Sequence, residues 1–226
     1  MASRTPALAL SGVLFVLLLG LLVVVDATDA FDRAVISAVQ TPALVDLLGI
    51  LRPITELGST EAMIAVGGLT LLLGVLIGPW RHGALGAMTI GAASLGVEGV
   101  KRAVARERPE ALDPLYIEHG FSFPSGHATL SMTAYGVLAV LVARSRLPRA
   151  ARIALIAGLG VLVFLIGLSR VWIGVHYPTD VLAGWTTGAV IVLGFAAVTR
   201  RVSTEPAAVA VDADPEAQRS DRPAAG

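Results

Sequence analysis

Three groups of charged and histidine side chains interrupt an otherwise apolar chain, and their residue types suit the handling of a phosphoryl group. The first is Lys101, followed after six residues by Arg108-Pro109. Positions seven apart on a helix return to nearly one face, so both cations are expected to point one way from a helix that Pro109 then stops. The second is Phe123-Pro124-Ser125-Gly126-His127, directly before an apolar run. Ser125 or Gly126 at a helix start leaves backbone N–H groups free, and such groups bind anions with the help of the helix dipole. His127 then lies in the first turn, beside any bound phosphate. The third is Ser169-Arg170, then His176, then Asp180, ahead of the last apolar run. Pro178 disfavours a continuous helix through His176, so a loop entering a helix near Pro178 is expected. There Asp180 can accept a hydrogen bond from one ring nitrogen of His176 and leave the other free, fixing the tautomer.

Taken singly, each group has a bland alternative: cations snorkelling to headgroups, a Pro-Ser-Gly turn with an incidental histidine, and a surface His–Asp pair holding a loop. Taken together, two histidines, three cations and a helix N-terminus on one membrane face make a site for a doubly charged phosphoryl group. Phosphoryl transfer asks mainly for positioning and charge stabilisation, arginine giving planar two-point contacts and lysine a compact charge. Lys101 is the only lysine in the chain, beside sixteen arginines.

Lys101…Arg108-Pro109, Pro124-Ser125-Gly126-His127 and Ser169-Arg170…His176…Asp180 resemble, in order and spacing, the three-part signature of the type 2 phosphatidic acid phosphatase superfamily. That family also includes bacterial acid phosphatases and vanadium haloperoxidases. The resemblance implies that His176 is the nucleophile and forms a phosphohistidine, with Asp180 orienting it. It implies that His127 protonates the leaving oxygen and then activates water. Lys101, Arg108 and Arg170 would hold the phosphoryl oxygens, helped by backbone amides at Ser125 and Gly126. No metal and no other cofactor is implied. The substrate class is a lipid with a terminal phosphate: phosphatidate, phosphatidylglycerol phosphate or, by analogy with six-span bacterial members, a polyprenyl pyrophosphate such as undecaprenyl pyrophosphate. Two rivals stand beside hydrolysis: a lipid phosphotransferase on the same scaffold, and a non-enzymatic lipid-phosphate transporter or sensor, which has little need of two histidines and an orienting aspartate. No nucleic-acid partner is expected, and oligomeric state is not legible.

The remaining polar residues have plainer readings. Glu98 is expected to pair locally with Lys101 or Arg102. Asp26, Asp29 and Asp32 recur every three residues and read as solvated helix caps just outside the membrane in preference to a cation site. His82, beside Trp80 and Arg81, reads as an interfacial anchor in a short cytoplasmic turn, and His119 as a loop residue near the entrance. Trp172, Tyr177 and Trp185 are candidates for a lipid portal, though aromatic belts form at membrane interfaces without catalytic cause.

These residues need a frame, and composition points to a bilayer. The 226 residues are 55% hydrophobic and only 15% charged, with mean hydropathy +0.76 and zero net charge. Soluble domains average about 25% charged residues. The absence of cysteine excludes disulfides and thiolate metal sites. Apolar runs at 7–25, 62–78, 83–100, 127–143, 153–169 and 181–199 predict an all-α membrane protein with six transmembrane helices, the fifth reaching spanning length only with its flanks. The first run is preceded by Arg4 and followed by Ala27 and Ala30, as a signal peptide would be, but its 19 residues exceed the usual h-region. Between the first two runs, 31–58 mixes apolar residues with Asp32, Arg33, Asp46, Arg52 and Glu56, which fits short interfacial helices. Residues 1–202 form the membrane domain in this reading, and 203–226 a disordered cytoplasmic tail. The Arg144, Arg146, Arg149, Arg152 loop has no acid, so both termini are expected inside and the site outside, in the plasma membrane.

Overall fold

The computed structural model describes residues 4–39, 41, 48–77, 79–109 and 118–211. Among these the chain forms eight helices and no strand: α1 (Arg4–Val24), α2 (Asp29–Val39), α3 (Leu48–Glu56), α4 (Thr60–Ile77), α5 (Trp80–Val104), α6 (Gly126–Arg144), α7 (Arg149–Ile173) and α8 (Pro178–Val211). The all-α membrane architecture expected from hydropathy is therefore present. Helices α1, α5, α6, α7 and the stretch Pro178–Arg200 of α8 are each long and apolar enough to cross a bilayer. Helix α4 has 18 residues, about 27 Å at 1.5 Å per residue, and meets the same length and hydropathy criterion when joined to α3, from which it bends by 45°. The fifth run gains its length from Arg149 onward and from Ser169 to Ile173, giving 25 residues in α7. Helix α8 continues to Val211, past the point where the tail was expected to begin, and residues 212–226 lie outside the described residues. So does Asp46.

Leucine-rich faces of α1, α4 and α7 stay exposed, including Leu8, Leu17, Ile64, Leu76 and Ile153, as a lipid-facing surface requires. The inner faces bury Met63, Ile90, Ala134, Tyr135, Val163 and Ile166 in one cluster. Helix α1 packs on α8, where a Cβ at Gly12 would meet Val190 Cγ2 at 2.5 Å. Helices α4 and α5 touch at Gly74 and Gly83, and a second close approach joins α6 and α8. Gly184 and Gly188, four apart on one face of α8, bring it against α6 so tightly that added Cβ atoms would lie 2.8 Å from the Ser125 carbonyl and 2.7 Å from the Thr129 carbonyl. Small residues at this spacing let membrane helices touch backbone to backbone. Because Ser125 and Thr129 flank His127, this contact sets where that imidazole stands.

Two turns release the polar segments from their helices. Helix α5 stops at Val104 because Ala105 adopts a left-handed conformation (φ 52°), its N–H bonding to the Lys101 carbonyl at 2.8 Å. Helix α7 stops at Gly174, also left-handed (φ 83°), a conformation glycine adopts without strain. Gly184→Val is expected to force the α6–α8 contact apart, costing about 1–3 kcal/mol from overpacking. The measurement is the midpoint of thermal inactivation in detergent, which should fall well below that of the unaltered protein.

Candidate active site

The polar clusters converge at one end of the bundle. Helix α8 begins at Pro178, as its sequence suggests, with Asp180 in the first turn. The Asp180 carboxylate accepts from the Tyr177 N–H at 2.9 Å through Oδ2, so it caps its own helix while facing the preceding loop. His176 sits in that loop, fully buried. Its Nδ1 lies 3.5 Å from Asp180 Oδ2, longer than an ordinary hydrogen bond, and 3.4 Å from Ser122 Oγ. Ser122 in turn donates a very short hydrogen bond to Asp180 Oδ2. On the other edge of the ring, Nε2 lies 3.1 Å from Arg108 Nη1. A guanidinium only donates, so Nε2 must be the accepting nitrogen and Nδ1 carries the proton toward Ser122 and Asp180. Burial pushes the His176 imidazole down to about 3, with the positive charges of Arg108 and Arg170 acting in the same direction and Asp180 opposing them. The ring is therefore neutral at ordinary pH, with its lone pair aimed away from Asp180.

Arg108 does not share a helix face with Lys101. The left-handed turn at Ala105 places 105–109 outside any helix, and the expectation that Pro109 ends α5 is corrected by a stop five residues earlier. Arg106 and Arg108, two apart in this non-helical segment, both reach the 175–180 loop. Arg108 also donates to the carbonyls of Val175 (2.9 Å) and Gly120 (3.0 Å). Lys101, in the last turn of α5, donates to the Phe121 carbonyl at 2.9 Å, and its Cε would lie 3.9 Å from a Cβ at Gly126. It borders the start of α6. Ser125 is the N-cap of α6, accepting from the Ala128 N–H at 3.4 Å. Its own N–H is taken by the Asp180 carbonyl at 3.0 Å, so the amide expected to serve a phosphate instead ties α6 to α8. The Gly126 N–H has no partner among the described residues and remains available to an anion.

His127, in the first turn of α6, packs beneath the α3–α4 corner, where a Cβ at Gly58 would lie 3.1 Å from its Cδ2. Its Nε2 is buried without a hydrogen-bond partner among the described residues, and its Nδ1 faces Glu118 Oε1 at 3.9 Å. Glu118, which sequence reading passed over, holds the centre. Its carboxylate lies 3.1 Å from Arg108 Nη2 and 4.0 Å from His176 Nε2, and it makes a very short ion pair with Arg170. Arg170, fully buried in the last turn of α7, is held on its other side by Thr55 of α3 at 2.7 Å. One carboxylate is thus seated by two guanidiniums with an imidazole on either side.

Asp32 is no solvated cap: it is fully buried, bonded to Arg106 and to Thr179. His82 lies in the first turn of α5 and is buried. Trp185 is partly buried, stacked on the exposed Phe164 at 5.6 Å and packed against Gly167, and Tyr177, also partly buried, lies under the Arg106 guanidinium at 4.1 Å. Glu98 pairs with Arg102 at 3.0 Å as expected, on an exposed surface where such a pair contributes little. The roles of Glu118, Ser122, Asp32 and Arg106 have no signal in spacing alone, since their side-chain partners lie more than fifty residues away, except Arg108 and His127 beside Glu118.

The all-α membrane bundle and the named relatives together make this chain an integral-membrane phosphoric ester hydrolase. The chain belongs to the PAP2 superfamily, whose family model matches residues 82–203. It is 31% identical over 185 residues to phosphatidylglycerophosphatase B of Bacillus subtilis, covering 79% of this chain and 88% of that protein. It is 36% identical over 176 residues to the decaprenylphosphoryl-5-phosphoribose phosphatase of Mycobacterium tuberculosis, covering 71% and 86%. Among solved structures, a transmembrane PAP2-type phosphatidylglycerolphosphate phosphatase from Bacillus subtilis superposes with a TM-score of 0.74 at 28% identity, over 86% of this chain and 96% of that one.

The neutral state of His176 is open to direct observation. In histidine-labelled protein, with His176→Ala supplying the assignment, the His176 nitrogen resonances are expected to stay those of the Nδ1–H tautomer between about pH 5 and 8. A midpoint near the ordinary value of about 6.5 would show that burial does not control the ring.

Proposed function

We propose that this protein removes the terminal phosphate of a membrane lipid at the outer face of the cell membrane, through a phosphohistidine on His176. The observation that carries the reading is the seating of the Glu118 carboxylate by Arg108 and Arg170, with His176 Nε2 at 4.0 Å and His127 Nδ1 at 3.9 Å. A seat that holds a carboxylate on two guanidiniums suits a phosphoryl group better, since phosphate offers more acceptor oxygens to the same planar donors.

In this reading the substrate phosphoryl group displaces Glu118, and Arg108 exchanges its contact with Nε2 for phosphoryl oxygens. Arg170, the Gly126 N–H and Lys101 complete the cradle. The Nε2 lone pair attacks phosphorus as the bond to the leaving oxygen breaks, and His127 supplies the proton that oxygen needs. The Nδ1 proton stays directed toward Asp180, which stabilises the positive charge on the phosphorylated ring. Water then attacks phosphorus and gives a proton to His127; the P–N bond breaks and inorganic phosphate leaves. No step calls for a metal.

Relatives named for a phosphatidylglycerophosphatase and for a phosphatase of a polyprenyl-linked sugar support a lipid phosphate or polyprenyl phosphate as substrate, and a polyprenyl pyrophosphate is the preferred member of that class. The outward orientation rests on charge: Arg144, Arg146, Arg149 and Arg152 lie at the opposite end of the bundle from His176, with no acid among them, as cytoplasmic loops do. Both termini are then cytoplasmic.

The test is phosphate release by purified protein from phosphatidate, phosphatidylglycerol phosphate and undecaprenyl pyrophosphate, with and without EDTA. Free inorganic phosphate is expected without any added acceptor, undiminished by EDTA, and His176→Ala should lose about a thousandfold or more in kcat. Turnover by His176→Ala at the unaltered rate would overturn the phosphohistidine route, and release only on adding an acceptor would make the protein a phosphotransferase.

A further inference from the structure

Beyond the anion seat lies a second buried charge cluster. Arg106 donates through Nη1 to Asp180 Oδ1 at 2.7 Å and to Thr179 Oγ1 at 2.9 Å. Through Nη2 it donates to Asp32 Oδ2 at 2.7 Å and to Thr28 Oγ1 at 3.2 Å, with the half-exposed Asp29 at 3.5 Å. Asp32 and Asp180 are both fully buried, and Arg106 is 8% exposed. Asp32 also accepts from the Thr179 N–H at 3.1 Å and from Thr179 Oγ1 at 2.6 Å. The Arg106 carbonyl accepts from the Ser122 N–H at 2.8 Å, and the guanidinium lies over the Tyr177 ring. Among the described contacts Arg106 touches neither imidazole nor Glu118.

We infer that Arg106 and Asp32 are a positioning pair for the phosphoryl transfer: they clamp Asp180 so that its Oδ2 faces His176, and they make the interfacial helix α2 a working part of the active site. This rests on the phosphatase reading above. The reason lies in how Asp180 divides its two oxygens. Oδ1 is taken by Arg106, while Oδ2 receives Ser122 and the Tyr177 N–H and faces Nδ1 of His176. A carboxylate without a fixed Oδ1 partner can rotate and offer the imidazole a poorer acceptor. Arg106 serves two buried carboxylates at once, a task for a planar fork and one that a single ammonium cannot copy. Asp32 fixes the fork from the far side, and by gripping Thr179 it also fixes the loop that carries His176. Removing the cation leaves two buried carboxylates facing each other without a counter-charge, which is strongly unfavourable. Thus Arg106 acts through Asp180 and not on substrate.

The experiment uses the full chain, purified in detergent, with a short-chain phosphatidate as substrate and inorganic phosphate as product inhibitor. Arg106→Met, Arg106→Lys and Asp32→Asn are compared with His176→Ala. Arg106→Met is expected to lower kcat about 100-fold, the scale on which loss of an outer partner of a functional histidine is felt. KM and the inhibition constant for phosphate should move by less than about threefold, because the anion seat is intact. Asp32→Asn should lower kcat about tenfold with the same split, and Arg106→Lys should recover part of what Arg106→Met loses. If Asp32→Asn and Arg106→Met turn over at the unaltered rate while His176→Ala is inactive, the positioning role is wrong and the phosphatase reading stands. If His176→Ala itself turns over normally, the underlying reading fails instead. If kcat, phosphate affinity and the thermal midpoint all fall while KM rises, and Arg106→Lys rescues none of them, the pair is merely structural. Asp32→Asn, which keeps shape and leaves the cation in place, decides the matter should Arg106→Met not fold.

Discussion

A charge removed from water must find its counterpart within the protein, and this requirement organises the whole polar end of the bundle. Asp180, Asp32, Arg170 and His176 are all fully buried where the helices meet. An unpartnered ion there would cost several kcal/mol. Each is therefore tied to a group from another helix or loop: Asp180 to Arg106 and Ser122, Asp32 to Arg106 and Thr179, Arg170 to Glu118 and Thr55. The pairing that removes the penalty also fixes geometry. A neutral His176 held between a carboxylate side and a guanidinium side is one consequence of it.

The two short helices between the first two apolar spans take their importance from this constraint. By hydropathy they are interfacial filler. In the folded protein α2 contributes Asp32 and α3 contributes Thr55, and each grips one of the arginines that reach the site. The α3–α4 corner also closes on His127 at Gly58. The site is thus walled by the interfacial segment on one side and by the ends of α5 to α8 on the other. Glycines do the complementary work inside the bilayer. Gly184 and Gly188 draw α8 onto α6, so that the Asp180 carbonyl can accept from the Ser125 N–H and the two histidine-bearing segments share one frame.

Much of this was legible beforehand, for identifiable reasons. Apolar runs report the spans because a bilayer leaves a backbone no other way to satisfy its hydrogen bonds. Pro178 reports the start of α8, and Ser125 the start of α6, because both effects are local. The separation of Lys101 from Arg108 has no local signal, for an equally plain reason. Nothing in residues 101–108 forbids a helix, and the stop at Ala105 is a left-handed turn taken by a residue that does not favour it. Such a turn is sustained by the contacts made beyond it, chiefly those of Arg106 and Arg108.

The amino-acid sequence by itself therefore determined the membrane class, the approximate spans and the charged and histidine clusters at the helix ends, because periodicity, composition and short-range turn chemistry are properties of neighbours along the chain. Tertiary structure alone decided which buried charges answer one another: that Asp32 serves Arg106, that Thr55 serves Arg170, that Ser122 stands between His176 and Asp180, and that Glu118 fills the seat. These partners lie from about fifty to more than a hundred residues apart. Complementarity of charge under desolvation is a property of the folded space between segments, and no local pattern in the chain encodes it.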